Sequence, residues 1–116
     1  MTDSPDNTMD YVEFPATDVA AAREFYASVF GWTFTDYGPD YTSFSDGRLH
    51  GGFARSDAVS GLPPLVVIYC RDLADAQARV EAHGGQIIEP AFEFPGGRRF
   101  HFSDPAGNVL AVWSDR

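Results

Sequence analysis

Apolar and polar positions along this chain change period in a regular way, and the changes spell the same unit twice. Tyr11-Val12-Glu13-Phe14-Pro15-Ala16 alternates like a half-buried strand. Asp18 then stands where a helix cap belongs, before Val19 to Phe30. Within that segment Val19, Ala22, Phe25 or Tyr26, Val29 and Phe30 recur at helical spacing and predict one apolar face. Gly31 stops the helix, as a left-handed glycine does. Trp32 to Tyr37, Tyr41 to Ser45 and Leu49 to Arg55 read as three strands, separated by the turns Gly38-Pro39-Asp40 and Asp46-Gly47.

Ser56 to Pro64 carries Ser60-Gly61 and Pro63-Pro64, and reads as a linker. The order then repeats. Leu65 to Cys70 is an apolar strand, and Asp72 caps a helix with Leu73, Ala76, Val80 and His83 along one face. Gly84-Gly85 ends it. Gln86 to Phe94 is a strand interrupted by Pro90, which confines it to an edge or demands a bulge. Pro95-Gly96-Gly97 turns into a closing hairpin, Phe100 to Trp113, bent at Asp104-Pro105-Ala106-Gly107-Asn108.

The result is β-α-β-β-β twice, a repeat of about 55 residues with Asp18 and Asp72 as matching helix starts. One helix and four short strands bury little alone. Two such modules, at 11–55 and 64–114 of a single domain over 11–114, are expected to form one curved, eight-stranded mixed sheet. Its helices would lie on the convex side and its concave face would line a cavity, an α+β architecture. Met1 to Asp10 is polar and acidic and reads as a flexible leader, without the basic-then-apolar pattern of a secretory signal.

Charge and composition narrow the chemistry. Seventeen acidic residues against eight basic ones give a formal charge of −9, which argues against nucleic acid and anionic membrane surfaces as partners. No apolar run approaches the ~20 residues of a membrane helix, and a cytoplasmic location is expected. Every basic residue is arginine, so no lysine is present to form a Schiff base. The single cysteine, Cys70, excludes an internal disulfide and a thiolate zinc cluster, and its apolar setting reads as a buried thiol. The serines lack a Gly-x-Ser-x-Gly elbow, and Gly51-Gly52 and Gly96-Gly97 lack the context of a phosphate loop.

Three stretches together resemble a known family. Pro15-Ala16-Thr17-Asp18 with Ala22-Arg23-Glu24-Phe25-Tyr26 and Val29-Phe30-Gly31-Trp32 resembles the first module of the vicinal oxygen chelate superfamily. That is the group of glyoxalases, bleomycin-resistance proteins and extradiol dioxygenases. Asp72-Leu73 with Val80 to Gly85 resembles its second-module helix, and Asp104-Pro105-Ala106-Gly107-Asn108 its closing turn. The resemblance covers Tyr11 to Trp113 and implies a glyoxalase-like fold. Because small members pair, it also implies a homodimer.

Catalytic members of that family hold a metal on the concave face, with His, Gln or Glu from the first and last strands of each module. The first-strand position, seven residues before each capping aspartate, is Tyr11 in one module and Leu65 in the other. The last strand of the first module offers Gly52, or His50 in a shifted register. The last strand of the chain needs a carboxylate seven residues after the turn aspartate and has Ala111. Leucine, alanine and glycine side chains donate nothing to a metal and tyrosine is an uncommon ligand, so no metal cofactor is expected at the usual site.

Alternation assigns the faces. Val12, Phe14, Val66, Ile68, Cys70, Phe100, Phe102, Leu110 and Val112 go to the helices. Tyr11, Glu13, Leu65, Val67, Tyr69, Arg99, His101, Ala111 and Trp113 go to the cavity, with His50 a further candidate. Apolar and aromatic walls with a few polar groups are the makeup of a small-molecule pocket. The alternatives are a rim pairing of Arg99 with Glu13 or Glu93, a structural role for His101, and burial of Trp113 in a dimer interface. Glu13, His50 and His101 also have the composition of a two-histidine, one-carboxylate metal site, and Glu13 and His101 are candidate acid/base groups. The expected function is small-molecule binding by a glyoxalase/bleomycin-resistance-like protein without the usual metal ligands. The alternative is a lyase, isomerase or dioxygenase-like enzyme with a displaced metal or a metal-free acid/base site.

Overall fold

A computed structural model describes residues 3–57 and 63–116; residues 58–62 of the expected linker lie outside the described residues. The element order is β1 (Thr8–Ala16), α1 (Val19–Phe30), β2 (Thr33–Asp36), β3 (Tyr41–Ser45), β4 (His50–Arg55), β5 (Leu65–Tyr69), α2 (Leu73–Ala82), β6 (Gln86–Phe94), β7 (Gly97–Ser103) and β8 (Val109–Ser114). Eight strands and two helices in two βαβββ modules make the fold α+β and glyoxalase-like. Among the described residues no helix is long and apolar enough to cross a membrane.

The chain forms two compact units, Tyr11–Leu65 and Met1–Asp10 with Val66–Arg116. In the first, the strand order is β2-β3-β4-β1, with β1 parallel to β4 and β3 antiparallel to it. Val19, Phe44 and Phe53 form the core, with Phe14, Ala22, Tyr26, Trp32 and Phe34 packed on them. Tyr26 stacks on Trp32 at 4.7 Å and Trp32 on Phe44 at 4.6 Å. The Asp18 carboxylate accepts the Ala21 N–H at 2.9 Å and starts α1. Gly31, at φ 73°, ends it: its N–H donates to the Ala27 carbonyl, and that of Trp32 to Tyr26.

The buried face of α1 is narrower than its sequence pattern suggests. Val19, Ala22 and Tyr26 face the core, whereas Phe25 and Val29 are each 55% exposed and Phe30 62%. Successive helical residues rotate by about 100°. With the arc centred on Val19 and Tyr26, Phe25 and Val29 fall on its flank, and Phe30 is in the last turn.

In the second unit the order is β5-β8-β7-β6, with β5 parallel to β8 and the other pairs antiparallel. Cys70, Leu73, Ala76, Phe100, Phe102 and Val112 form its core, joined by Ile68, Val80, Ile87 and Leu110. β6 is an edge strand, and its register against β7 shifts on both sides of Glu89, next to Pro90. In the closing turn the Asp104 carboxylate accepts the N–H groups of Ala106 and Asn108, each at 2.9 Å, and the Asn108 side-chain amide at 3.0 Å. Gly107 supplies the left-handed backbone at φ 92°.

β1 begins at Thr8, so the polar stretch read as a leader includes the first residues of a strand. The residues just before it are held by hydrogen bonds as well. Asp6 accepts the Arg71 N–H at 2.8 Å, and the Asn7 N–H donates to the Tyr69 carbonyl at 2.8 Å.

Candidate functional site

On the first unit, the sheet face away from α1 carries a cluster of two phenols and a carboxylate. Tyr11 and Glu13 lie two apart on β1 and share that face, while Phe14 goes to the core. In register, Tyr11 stands opposite His50 and Glu13 opposite Gly52 on β4; Gly52 in turn faces Ser43 on β3. From β3, Tyr41 donates its hydroxyl hydrogen to Glu13 Oε2 at 3.2 Å, and the Tyr41 and Tyr11 hydroxyls are hydrogen-bonded to each other. Burial, then the Tyr11 hydrogen bond and the Glu13 charge, pushes the Tyr41 phenol well above its ordinary range and keeps it a donor.

Gly52 is what makes room for this cluster. A Cβ there would overlap the Tyr41 hydroxyl and lie 2.6 Å from that of Tyr11. The two phenols therefore occupy the space into which a side chain at position 52 would point. His50 is on the same face and exposed.

On the second unit, the face away from α2 is aromatic around one guanidinium. The β6–β7 register sets Arg99 opposite Phe92 and Arg98 opposite Glu93. The Arg99 guanidinium carbon sits 5.3 Å from the Phe92 ring centroid and 5.7 Å from that of Phe94, within cation–π range of both. Phe92 lies 5.8 Å from the His101 ring, and Phe94 lies 6.1 Å from Trp113. Trp113 is half-buried, and its indole N–H donates to Asp10 at 2.9 Å. Tyr69 meets Trp113 edge-on at 5.2 Å and donates to Asp115 at 2.6 Å, a bond that raises its phenol pKa.

Arg99, His101 and Trp113 thus share one face through common aromatic neighbours. Tyr69 and Val67, expected to line a cavity, are buried, at only 1% and 3% exposed. Leu65 is half-buried at the start of β5. Glu93 stands beside Arg98 and not Arg99, since alternation turns neighbouring strand residues to opposite faces. Sequence reasoning missed Tyr41, Phe92, Phe94, Asp10 and Asp115. The alternation of Phe92 and Phe94 was visible, but their partner depended on a register that shifts near Pro90.

The four positions that would carry a metal in a catalytic relative suit it poorly. The Tyr11 hydroxyl is engaged with Tyr41, Gly52 has no side chain, Leu65 is apolar, and the Ala111 methyl is fully buried. Among the described residues, no group of three or more His, Cys, Asp or Glu side chains is placed to hold a metal ion. Cys70 is buried under α2 and burial raises its thiol pKa, opposite to what a nucleophile needs. It borders a groove of about 390 Å³ beside α2, whose mouth carries Asn7, Arg79 and His83.

Residues 8–112 match the profile of the Glyoxalase/Bleomycin resistance protein/Dioxygenase superfamily, and the chain belongs to that superfamily. It is 37% identical over 124 aligned positions to the anthracycline biosynthesis protein DnrV of Streptomyces peucetius, covering 89% of this chain and 45% of that protein. A second relative, the anthracycline biosynthesis protein DauV of Streptomyces sp. (strain C5), is 36% identical over the same shares. The chain spans about half the length of these relatives. Among solved structures, the Mn(II)-bound glyoxalase from Novosphingobium aromaticivorans shares the fold with a TM-score of 0.68 at 22% identity, covering 94% of this chain and 39% of that one.

Proposed function

We propose that this protein binds a small, planar, oxygen-bearing aromatic molecule, and does so without a metal at the superfamily's usual positions. The observation that carries the reading is Arg99 held against Phe92 and Phe94, with His101 and Trp113 on the same face. Flat apolar surface around a fixed cation suits a ring system bearing carbonyl or phenolate oxygens. Two relatives are named for anthracycline biosynthesis, and an anthracycline is a polycyclic aromatic bearing such oxygens, which supports that class.

The test is titration with a hydroxylated anthraquinone, followed by calorimetry and thermal shift. Binding to the parent chain, weakened at least tenfold in Arg99→Ala and Phe92→Ala, supports the reading. Equal affinity in all three contradicts it.

The Tyr41–Glu13 hydrogen bond favours a second reading, a metal-free acid/base enzyme of the same superfamily. There Glu13 would take a proton from the ligand, and Tyr41 would stabilise the carboxylate by donating to it. Turnover of a bound ligand that is lost in Glu13→Gln, with binding retained, selects this reading over simple binding.

A further inference from the structure

The repeat allows its two helix–sheet contacts to be compared position by position. Counted from the capping aspartates, Phe14 and Tyr26 of the first module correspond to Ile68 and Val80 of the second. The strand registers add a third pair: Phe14 stands opposite Phe53 on β4, and Ile68 opposite Val112 on β8. In the first module these positions are three rings, with Phe53 5.3 Å from both Phe14 and Tyr26. In the second they are three aliphatic side chains, and all three line the groove of about 390 Å³ beside α2. The groove lies where the first module packs aromatic rings.

Such a volume is within the range of small-molecule pockets, about 300–1,000 Å³. The mouth is polar and cationic, and none of the described lining residues is acidic. Two donors converge there on one oxygen. Arg79 Nη2 donates to Asn7 Oδ1 at 3.2 Å, and the Cys70 thiol donates to the same atom at 3.4 Å. Arg79 Nε donates to Asp75 at 2.8 Å, which steadies the guanidinium. An amide oxygen is the weaker partner for that guanidinium, since a carboxylate oxygen makes a charge-assisted bond roughly twice as strong. Asn7 is exposed and sits on left-handed backbone at φ 62°. Its side chain can turn to water while its N–H stays on the Tyr69 carbonyl.

We infer that this groove is a second binding site, for a small carboxylic acid with an apolar body, of the medium-chain fatty acid kind. The apolar body lies against Ile68, Val80 and Val112, and a carboxylate oxygen takes the place of Asn7 Oδ1 on Arg79, with the His83 imidazole at the same mouth. Val112 and Trp113 are neighbours on β8 and turn to opposite faces. The groove is therefore on the helix side of the second unit's sheet, and it does not rest on the reading of the Arg99 face.

The experiment is a nuclear magnetic resonance titration of the isotope-labelled chain with octanoate and with octanol, which has the same chain length and no charge. Octanoate should bind one-to-one with a Kd below about 1 mM, and octanol at least about tenfold more weakly. Amide shifts should centre on Asn7, Val80 and His83. Arg79→Gln should weaken octanoate at least about tenfold and bring it level with octanol. Asn7→Gly keeps the left-handed backbone, removes the competing oxygen and should tighten octanoate, whereas Asn7→Asp sets a carboxylate on Arg79 and should weaken it. Val80→Phe restores a ring at the position equivalent to Tyr26 and should abolish binding of both probes. Arg79 and Asn7 are exposed, so their variants decide the matter even if Val80→Phe does not fold. No binding of octanoate, equal affinity for octanol, unchanged octanoate affinity in Arg79→Gln, or shifts centred on Arg99 and Trp113 would overturn the inference. No anthraquinone and no Arg99 variant enters this experiment, so the groove and the proposed ligand stand or fall separately.

Discussion

Tyr41 and Glu13 come from strands that do not touch in the first module's sheet, yet the Tyr41 hydroxyl donates to the Glu13 carboxylate at 3.2 Å. The phenol crosses β4 above Gly52 to do so. This contact holds a carboxylate on the candidate face and fixes Tyr41 as its donor.

The first consequence is alkaline sensitivity. Tyr41 has a raised pKa in the folded protein, so the unfolded chain loses its proton first, near pH 10. Stability from this group is complete below that pH and falls as pH rises beyond it. Tyr69, raised by its bond to Asp115, adds in the same direction. Denaturant unfolding between pH 8 and about 11.5 should show declining stability, with a flatter decline in Tyr41→Phe. An equal slope in both proteins counts against the buried donor.

Gly52→Ala forces the phenols out of the space above β4. A loss of about 1–3 kcal/mol is expected from such overpacking. Because Tyr41→Phe removes the atom most directly overlapped, the two substitutions should be non-additive in a double-mutant cycle. Additive losses would mean the phenols do not lie over Gly52.

At the closing turn, the Asn108 side chain and then the backbone amides of the turn hold the Asp104 carboxyl below the usual carboxylate range. A lowered folded pKa contributes stability above about pH 4 that is lost as pH falls through it. Asp104→Ala should lower the melting temperature at pH 7 by several degrees, and the gap should close on acidification toward pH 2. A gap that persists at low pH contradicts the charge's role in the turn.

Cys70 should be inert. With its thiol buried and its pKa raised by that burial, a disulfide reagent at pH 7 should label it at least a hundredfold more slowly than free cysteine, and denaturant should remove the protection. Labelling at the free rate would show that the core beside α2 opens readily.

Much of this architecture was readable in the chain. Asp18 and Gly31 bounded α1 at the residues observed, Asp72 marked the start of α2, and alternation separated Phe100, Phe102, Leu110 and Val112, which join the core, from Arg99, His101 and Trp113. What alternation does not contain is reach across strands. Tyr41 was legible as a strand residue but not as the partner of Glu13, because that depends on β4 lying between them and on Gly52 having no side chain. Phe92 and Phe94 were hidden by the register shift beside Pro90. On α1, helical spacing admits both Phe25 and Tyr26, and only the packing of Tyr26 between Trp32 and Phe53 decides which faces the core.

We propose that the Arg99 face binds a flat, oxygenated aromatic. Calorimetric titration of the parent chain and Arg99→Ala with a hydroxylated anthraquinone tests it most directly. Stoichiometric binding by the parent, at least tenfold weaker in Arg99→Ala, is the result predicted. Absence of binding by the parent, or equal affinity in both proteins, contradicts it.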